Sequence, residues 1–474
     1  MKGLIRRLRR LGKDQRGAVA VTLALSLIPL SVAGLGAVDL TRAVSARSQL
    51  QDALDAATLA AARQAATKGY YTDLQTDGTA SWNGNLASSP DFTVTGKTFA
   101  LAADGTTVIG DASATVNSVF VHYLIGASAL NVTAHSEVAA GSKNVEVSLV
   151  VDVTGSMKVN YPRYGMNKIG DLQTAADQLI AAVVKPQQTP FYSRMAIIPF
   201  SAGVNVGSGN AASYQAPLKK TCNTDKAGCS TITFTPAASG GARQPFPLSS
   251  SCVTERIENI PTDTAAKSGK WLGYLYTPTD GSNNCPTTSV QFLTDNVTTL
   301  DSTISQLQAN YSTAGQVGLA WGWYMISPNF VTSAKSGTYV PSSYADVTSR
   351  KTLKAVVLMT DGSFNTAYCK GVVSYNSSSS QDAGIDGNKI ANCTGNGDSV
   401  TQSKLLCDQM KMDGIVIYTV GFDLQDDPNP QSAISLLSYC ATNSSNFFNA
   451  ATGTDLKTAF AEIGQDINNL RLSK

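Results

Sequence analysis

The sequence predicts a doubly wound α/β domain with a largely parallel sheet, preceded by an N-terminal transmembrane helix and a small α+β region. Three observations predict it. The runs Val145 to Val151 and Ala355 to Met359 are apolar enough to be strands covered on both faces. Each ends in a carboxylate, Asp152 or Asp361, at the carboxyl end of its strand, where open α/β sheets bind ligands. Apolar residues at helical spacing alternate with these and further short strands, the pattern of right-handed crossovers.

From the N-terminus, residues 1–17 hold seven basic side chains and one acidic one, a local charge of +6. The whole chain carries +2, so the remainder carries −4; the basic cluster is a topology signal, and nucleic-acid binding is not expected. Residues 18–38 contain no charge and are long enough to span a hydrocarbon core of about 30 Å. That reading leaves residues 1–17 cytoplasmic and everything after the single pass on the outer side. A cleaved secretory signal is the competing reading, kept open by the small residues of Gly34-Leu35-Gly36. Cleavage after Gly17 is a third, since type IV pilins begin with a basic leader ending in Gly, although they carry Glu where Thr22 stands here.

Asp39 to Thr67 contains no Pro or Gly and is rich in Ala, so the helix is expected to continue beyond the membrane. Period-two patterns follow at Phe92 to Thr95, Ala114 to Val116, Val119 to Val121 and Val132 to Ala134, predicting a small antiparallel sheet within 39–142. His122 falls in the strand-like stretch Val119 to Leu124 and is expected to be structural.

The α/β domain is placed at 143–474. Ile169, Leu172, Ala176, Leu179 and Val183 mark one helix, and Met195 to Phe200 a buried strand. Val317 to Ile326 reads as a helix with Trp321 and Trp323 in the core. A helix from about Lys404 ends at Gly414, which suits a left-handed cap, and the strand Ile415 to Val420 follows. Asn446 to Phe448 is a last short strand before a helix marked by Leu456, Phe460, Ile463 and Ile467. Two stretches rich in Gly, Ser, Thr and Asn, near 205–295 and 364–400, read as surface insertions.

Asp152, Thr154 and Ser156 put a carboxylate and two hydroxyls on alternating residues after a strand, an oxygen set suited to a hard divalent cation. Taken alone, either motif is equally an ordinary helix cap or turn. Together and in this order they resemble the metal-ion-dependent adhesion site of von Willebrand factor type A domains. That family carries D-x-S-x-S after its first strand, a threonine in a middle loop and an aspartate after its fourth strand. The resemblance maps the threonine onto Thr313, with Ser312 as its neighbour, and the last aspartate onto Asp361. It implies one ion, Mg²⁺ or else Mn²⁺ or Ca²⁺, held by Thr154, Ser156 and Thr313. Asp152 and Asp361 would balance its charge, and one position would stay open for a carboxylate from a protein partner.

The N-terminal Gln15 to Val21, Val38-Asp39 and Leu50 to Ala57 resemble the start of Tad (tight-adherence, Flp pilus) assembly proteins of the TadE/TadG group. Trp321-Gly322-Trp323, Leu437 to Ala441 and Ile467 to Leu472 are similar to TadG-like proteins with a type A domain. This resemblance implies a pilin-like layout for 39–142. It also implies a bacterial inner-membrane protein with a periplasmic C-terminal domain, whose partner is a pilus or envelope component. The runner-up is a processed surface or pilus-tip adhesin that binds host or abiotic surfaces.

Eight cysteines and no C-x-x-C fit an oxidising compartment and up to four disulfides; Cys407–Cys440 is the expected pair in the core fold, the others pairing within their insertions. The only histidines, His122 and His135, precede the α/β domain, which excludes a Ser-His-Asp triad or a His-ligated zinc within it. No phosphate-binding glycine loop is present, and the chain is expected not to be an enzyme.

Overall fold

The computed structural model describes residues 18–68, 73–86, 91–103, 106–118, 120, 122, 128–139, 142–158, 167–221, 228–234, 244–257, 261–266, 270–277, 284–330, 339–369, 372–373 and 396–472. The chain forms two compact units, Met1–Gly141 and Ser142–Lys474.

In the smaller unit, α1 (Ala18–Lys68) runs for 51 residues. Its later part buries Leu50, Leu54, Ala57 and Ala61, spaced three or four apart, against a three-stranded antiparallel sheet. The strands are β1 (Thr93–Leu101), β2 (Thr107–Asn117) and β3 (Ala129–Ala139), with β2 central. A second helix, α2 (Leu74–Asn85), has no clear apolar period in the sequence. It forms because Leu74 and Trp82 are buried and Gly78 lets it close on Phe99; a Cβ at Gly78 would lie 2.5 Å from that ring. The expected strand at 119–124 is corrected where it is described. Phe120 lies in a bend and His122 is helical, because the buried Asp39 carboxylate ties the segment down by accepting from Ser118 Oγ (3.0 Å) and Phe120 N (2.7 Å).

Among the described residues, no helix is long and apolar enough to cross a membrane. Residues 1–17, and with them the basic flank and the Gly17 cleavage question, lie outside the described residues. Leu23, Leu25, Leu27 and Leu30 of α1 are each more than half exposed.

In the larger unit the strands are β4 (Asn144–Asp152), β5 (Ser193–Phe200), β6 (Val204–Asn205), β7 (Thr231–Phe234), β8 (Gln244–Arg256), β9 (Leu272–Tyr276), β10 (Gln291–Thr294), β11 (Thr352–Thr360), β12 (Tyr368–Cys369), β13 (Val372–Val373), β14 (Val416–Phe422) and β15 (Phe447–Ala450). The neighbours β5, β4, β11, β14 and β15 are parallel, and β10 adds to β5 antiparallel. Leaving aside the strands inserted between β5 and β10, chain order across this sheet reads 3-2-1-4-5-6, the doubly wound arrangement.

Side chains alternate between the two faces. Val145, Val147, Leu149 and Val151 pack under α3 (Lys168–Val183), α4 (Val297–Ser305) and the closing helix Gly453–Leu472. Val150, Val356 and Leu358 pack under α5 (Gly315–Ile326) and the two helices Ser399–Met412 and Pro430–Cys440. With the short α6 (Tyr344–Thr348) between, these last three helices in chain order are α7 (Ser399–Met412), α8 (Pro430–Cys440) and α9 (Gly453–Leu472). Helix α7 begins five residues before the expected Lys404, where Asp398 accepts from Thr401 N, and it is followed by Gly414 at φ 77°. Trp321 and Trp323 are buried, the former edge-on to Tyr214, Tyr324 and Phe330. Cys407–Cys440 joins α7 to α8.

The stretch near 205–295 differs from its reading as surface. It contributes β6 to β10, the disulfide Cys252–Cys285, and buried Ile232, Phe246, Tyr274 and Tyr276. Of the other stretch, 374–395 lies outside the described residues.

Glu146 on β4 and Lys354 on β11 are register partners with fully buried side chains in an ion pair. Lys354 also donates to Ile326 O (2.7 Å), and Glu146 accepts from Ser342 N (2.8 Å) and Tyr192 OH (2.9 Å). Burial pushes Lys354 below its ordinary value, Glu146 opposing. Lys354→Met leaves the Glu146 charge buried without its cation and is expected to cost about 3–5 kcal/mol in urea unfolding. A loss below 1 kcal/mol would mean that the pair contributes nothing beyond its packing.

Candidate metal centre

The parallel register sets β4 and β11 side by side, with Val151 opposite Met359. Asp152 and Thr360 therefore end neighbouring strands, at the point where the chain order of the sheet reverses. Asp152 is fully buried, and both its oxygens are engaged. Oδ1 accepts from Thr154 N (2.8 Å) and Oδ2 from Thr360 Oγ1 (2.6 Å). The Thr154 and Ser156 hydroxyls share a hydrogen bond at 3.1 Å, and Ser156 Oγ donates to Asp361 Oδ1 at 2.6 Å.

Backbone contacts fix the loop around these groups. Gly155 N donates to Tyr311 O (2.9 Å) and Asn310 N to Val153 O (2.8 Å), tying the first motif to the loop that carries Thr313. Thr313 N donates to Asn365 Oδ1 (3.0 Å), and its carbonyl accepts from Asn365 N and Thr366 N, tying that loop to the one after β11. Tyr311 pays for this with φ 72°, a strained value for a bulky residue.

A cavity of about 460 Å³ opens here, lined by Ser156, Thr313, Asp361 and Lys168 among others, with Ser363 and Asp427 also on its wall. Asp152 and Thr154 are buried and do not line it. The five residues expected from the sequence thus come together, three at the cavity and two behind it. Four participants were not foreseen: Thr360, Asn365, Lys168 and Asp423. Lys168 Nζ lies 3.0 Å from Asp361 Oδ2 and 3.3 Å from Asp423 Oδ2, its side chain 2% exposed. Asp423 follows β14, and the strand-end rule that found Asp152 and Asp361 applies to it equally.

Burial, with the charge of Asp361, pushes Asp152 up to about 7 from its ordinary 3.8. Burial also raises Asp361, against the opposing pull of Lys168 and Ser156. Lys168 is raised, since its two carboxylate neighbours outweigh the opposing effect of burial.

The oxygen-only donor set fits a hard divalent ion better than zinc or copper. It is poor in charged ligands: among the described residues no group of three or more His, Cys, Asp or Glu could hold a metal. Hydroxyls would have to provide most of the contacts.

Residues 17–64 match the family model described as putative Flp pilus-assembly TadE/G-like. No curated protein matches the chain. Among solved structures it is similar to the von Willebrand factor domain of the type V pili tip protein Mfa5 from Porphyromonas gingivalis. Identity there is 14% and the TM-score 0.38, covering 70% of this chain and 97% of that one. It is also similar to the pilus adhesin SpaC from Lactobacillus rhamnosus GG, at 13% identity and TM-score 0.37, over 80% of this chain. The match spans only 35% of the SpaC chain. A third is proximal thread matrix protein 1 from the mussel byssus, in a form with a zinc-occupied MIDAS motif. Identity is 10% and the TM-score 0.30, over 70% of this chain and 46% of that one. The N-terminal segment, residues 17–64, is thus similar to the putative Flp pilus-assembly TadE/G-like family, and behind it lies a doubly wound α/β unit.

Proposed function

We propose that this is a membrane-anchored pilus-assembly protein whose α/β unit binds a protein partner through a divalent-metal site, without catalysis. One observation carries the reading: the Thr154 and Ser156 hydroxyls lie 3.1 Å apart beside Asp361, and Ser156, Thr313 and Asp361 share the wall of one cavity. A bound Mg²⁺, Mn²⁺ or Ca²⁺ would supply a Lewis-acidic position for a partner's carboxylate oxygen. Thr154, Ser156 and Thr313 would hold it, and Asp361 and the engaged carboxylate of Asp152 would offset its charge. Because hydroxyls neutralise none of that charge, the site favours an anionic partner group.

The exposed leucines at positions 23, 25, 27 and 30 support the anchor, since open apolar side chains of this size belong in lipid or against another chain. The proposed orientation puts residues 1–17 in the cytoplasm and the α/β unit in the periplasm. The full chain, captured from envelope extract in Mg²⁺, is expected to retain a pilus or envelope component and to lose it in chelator. Capture unchanged by chelator would overturn the metal-dependent reading. Shedding of intact protein from the inner-membrane fraction would favour the adhesin.

A further inference from the structure

We infer that Lys168 is a built-in counter-cation of this site, stabilising it when empty and opposing a divalent ion when filled, so that Lys168 sets a weak metal affinity. The inference rests on the metal reading above and concerns a residue that reading does not use.

Lys168 is the first residue of α3, an end where the helix dipole favours anions rather than cations. A lysine is almost never buried unless paired. This one is 1% exposed, and its ammonium reaches two strand ends at once, Asp361 after β11 and Asp423 after β14. Asp361 and Asp423 share this single buried ammonium, and the buried carboxylate of Asp152 ends the strand beside β11. The formal balance of these four groups is −2; Lys158, Asp426 and Asp427 also line the cavity. Without Lys168 it would be −3. The ammonium contacts the same carboxylate that would face the ion, in buried surroundings where like charges a few ångströms apart are weakly screened.

A strut and a counter-cation predict opposite results. If Lys168 only orients Asp361, losing it weakens metal binding. If it opposes the ion, losing it strengthens binding. The test uses the full-length chain in detergent and Mn²⁺ as probe, with free ion read by electron paramagnetic resonance and unfolding followed by scanning calorimetry. Lys168→Met is expected to bind Mn²⁺ on the order of tenfold more tightly than the parent, and to unfold at lower temperature only when metal-free. Asp423→Asn, with one carboxylate fewer, is expected to bind more weakly. Lys168→Met with Asp423→Asn restores the formal balance of −2 and is expected to return within about threefold of the parent.

Equal or weaker binding by a folded Lys168→Met overturns the inference. Should that variant not fold, the double variant decides: binding near the parent supports charge balance, and lost binding refutes it. Uptake by Lys168→Met but not by the parent is the strongest support. Uptake by neither refutes the metal reading itself, whereas equal uptake by both refutes only the role of Lys168.

Discussion

Asp361→Ala is expected to raise the dissociation constant for Mg²⁺ or Mn²⁺ at least about a hundredfold, while the metal-free protein unfolds within a few degrees of the parent. The loss is large because the hydroxyls bring no charge. Removing Asp361 leaves Asp152, both of whose oxygens are already engaged, as the only carboxylate among the described residues bonded to the hydroxyl loop. It also leaves Lys168 facing the ion with Asp423 as its remaining carboxylate. A hundredfold corresponds to about 2.7 kcal/mol, well within what one buried charge contributes. Stability should change little for a separate reason. Burial already disfavours the Asp361 charge, so its removal relieves a desolvation cost of the same order as the two hydrogen bonds it forfeits, from Ser156 and Lys168. Titration by isothermal calorimetry and a thermal scan check both halves; retained affinity would refute the assignment of Asp361.

Much of this site is legible in the sequence, for a definite reason. Two apolar strands that each end in a carboxylate, the first followed by hydroxyls at every second residue, leave few arrangements for those oxygens other than convergence at the sheet edge. Asp423 obeys the same rule after Val416–Phe422 and was there to be read. Lys168 was not: in the sequence it is a charged residue at the start of an amphipathic helix, and nothing marks it as turned inward. The region 205–295 misleads through composition. The strand Gln244–Arg256 contains two prolines and three consecutive serines, which read as loop. Pro245 and Pro247 stand opposite Thr233 and Thr231 of a four-residue strand at the end of the sheet order, where a missing donor is tolerated. Helix α2 escapes notice because Gly78 and Gly84 lower its propensity, and only the fit of Trp82 and Phe99 against the long helix and sheet repays them.

The second large effect concerns pH. With chelator, the larger unit is expected to lose stability as pH rises from about 4 to about 7, whereas saturating Mg²⁺ removes most of that loss. Asp152 titrates near 3.8 when unfolded and near 7 when folded, because burial and the charge of Asp361 penalise its ionised form. A carboxyl raised on folding binds its proton more tightly in the native state. Below about pH 4 both states are protonated and the group contributes nothing to the pH dependence. Between the two values the unfolded chain releases the proton first, so stability falls by up to about 1.4 kcal/mol per pH unit; above 7 the full penalty, on the order of 4 kcal/mol, persists. The shift of Asp361 has the same direction and adds to the fall. A divalent ion requires the ionised carboxylates, so its affinity grows with pH through the same window and its uptake releases protons. Thermal unfolding with Mg²⁺ and with chelator should therefore give nearly coincident midpoints at pH 5 and clearly separated ones at pH 8. A separation that is constant with pH, or widest at pH 5, would mean that Asp152 is not the group that answers the ion.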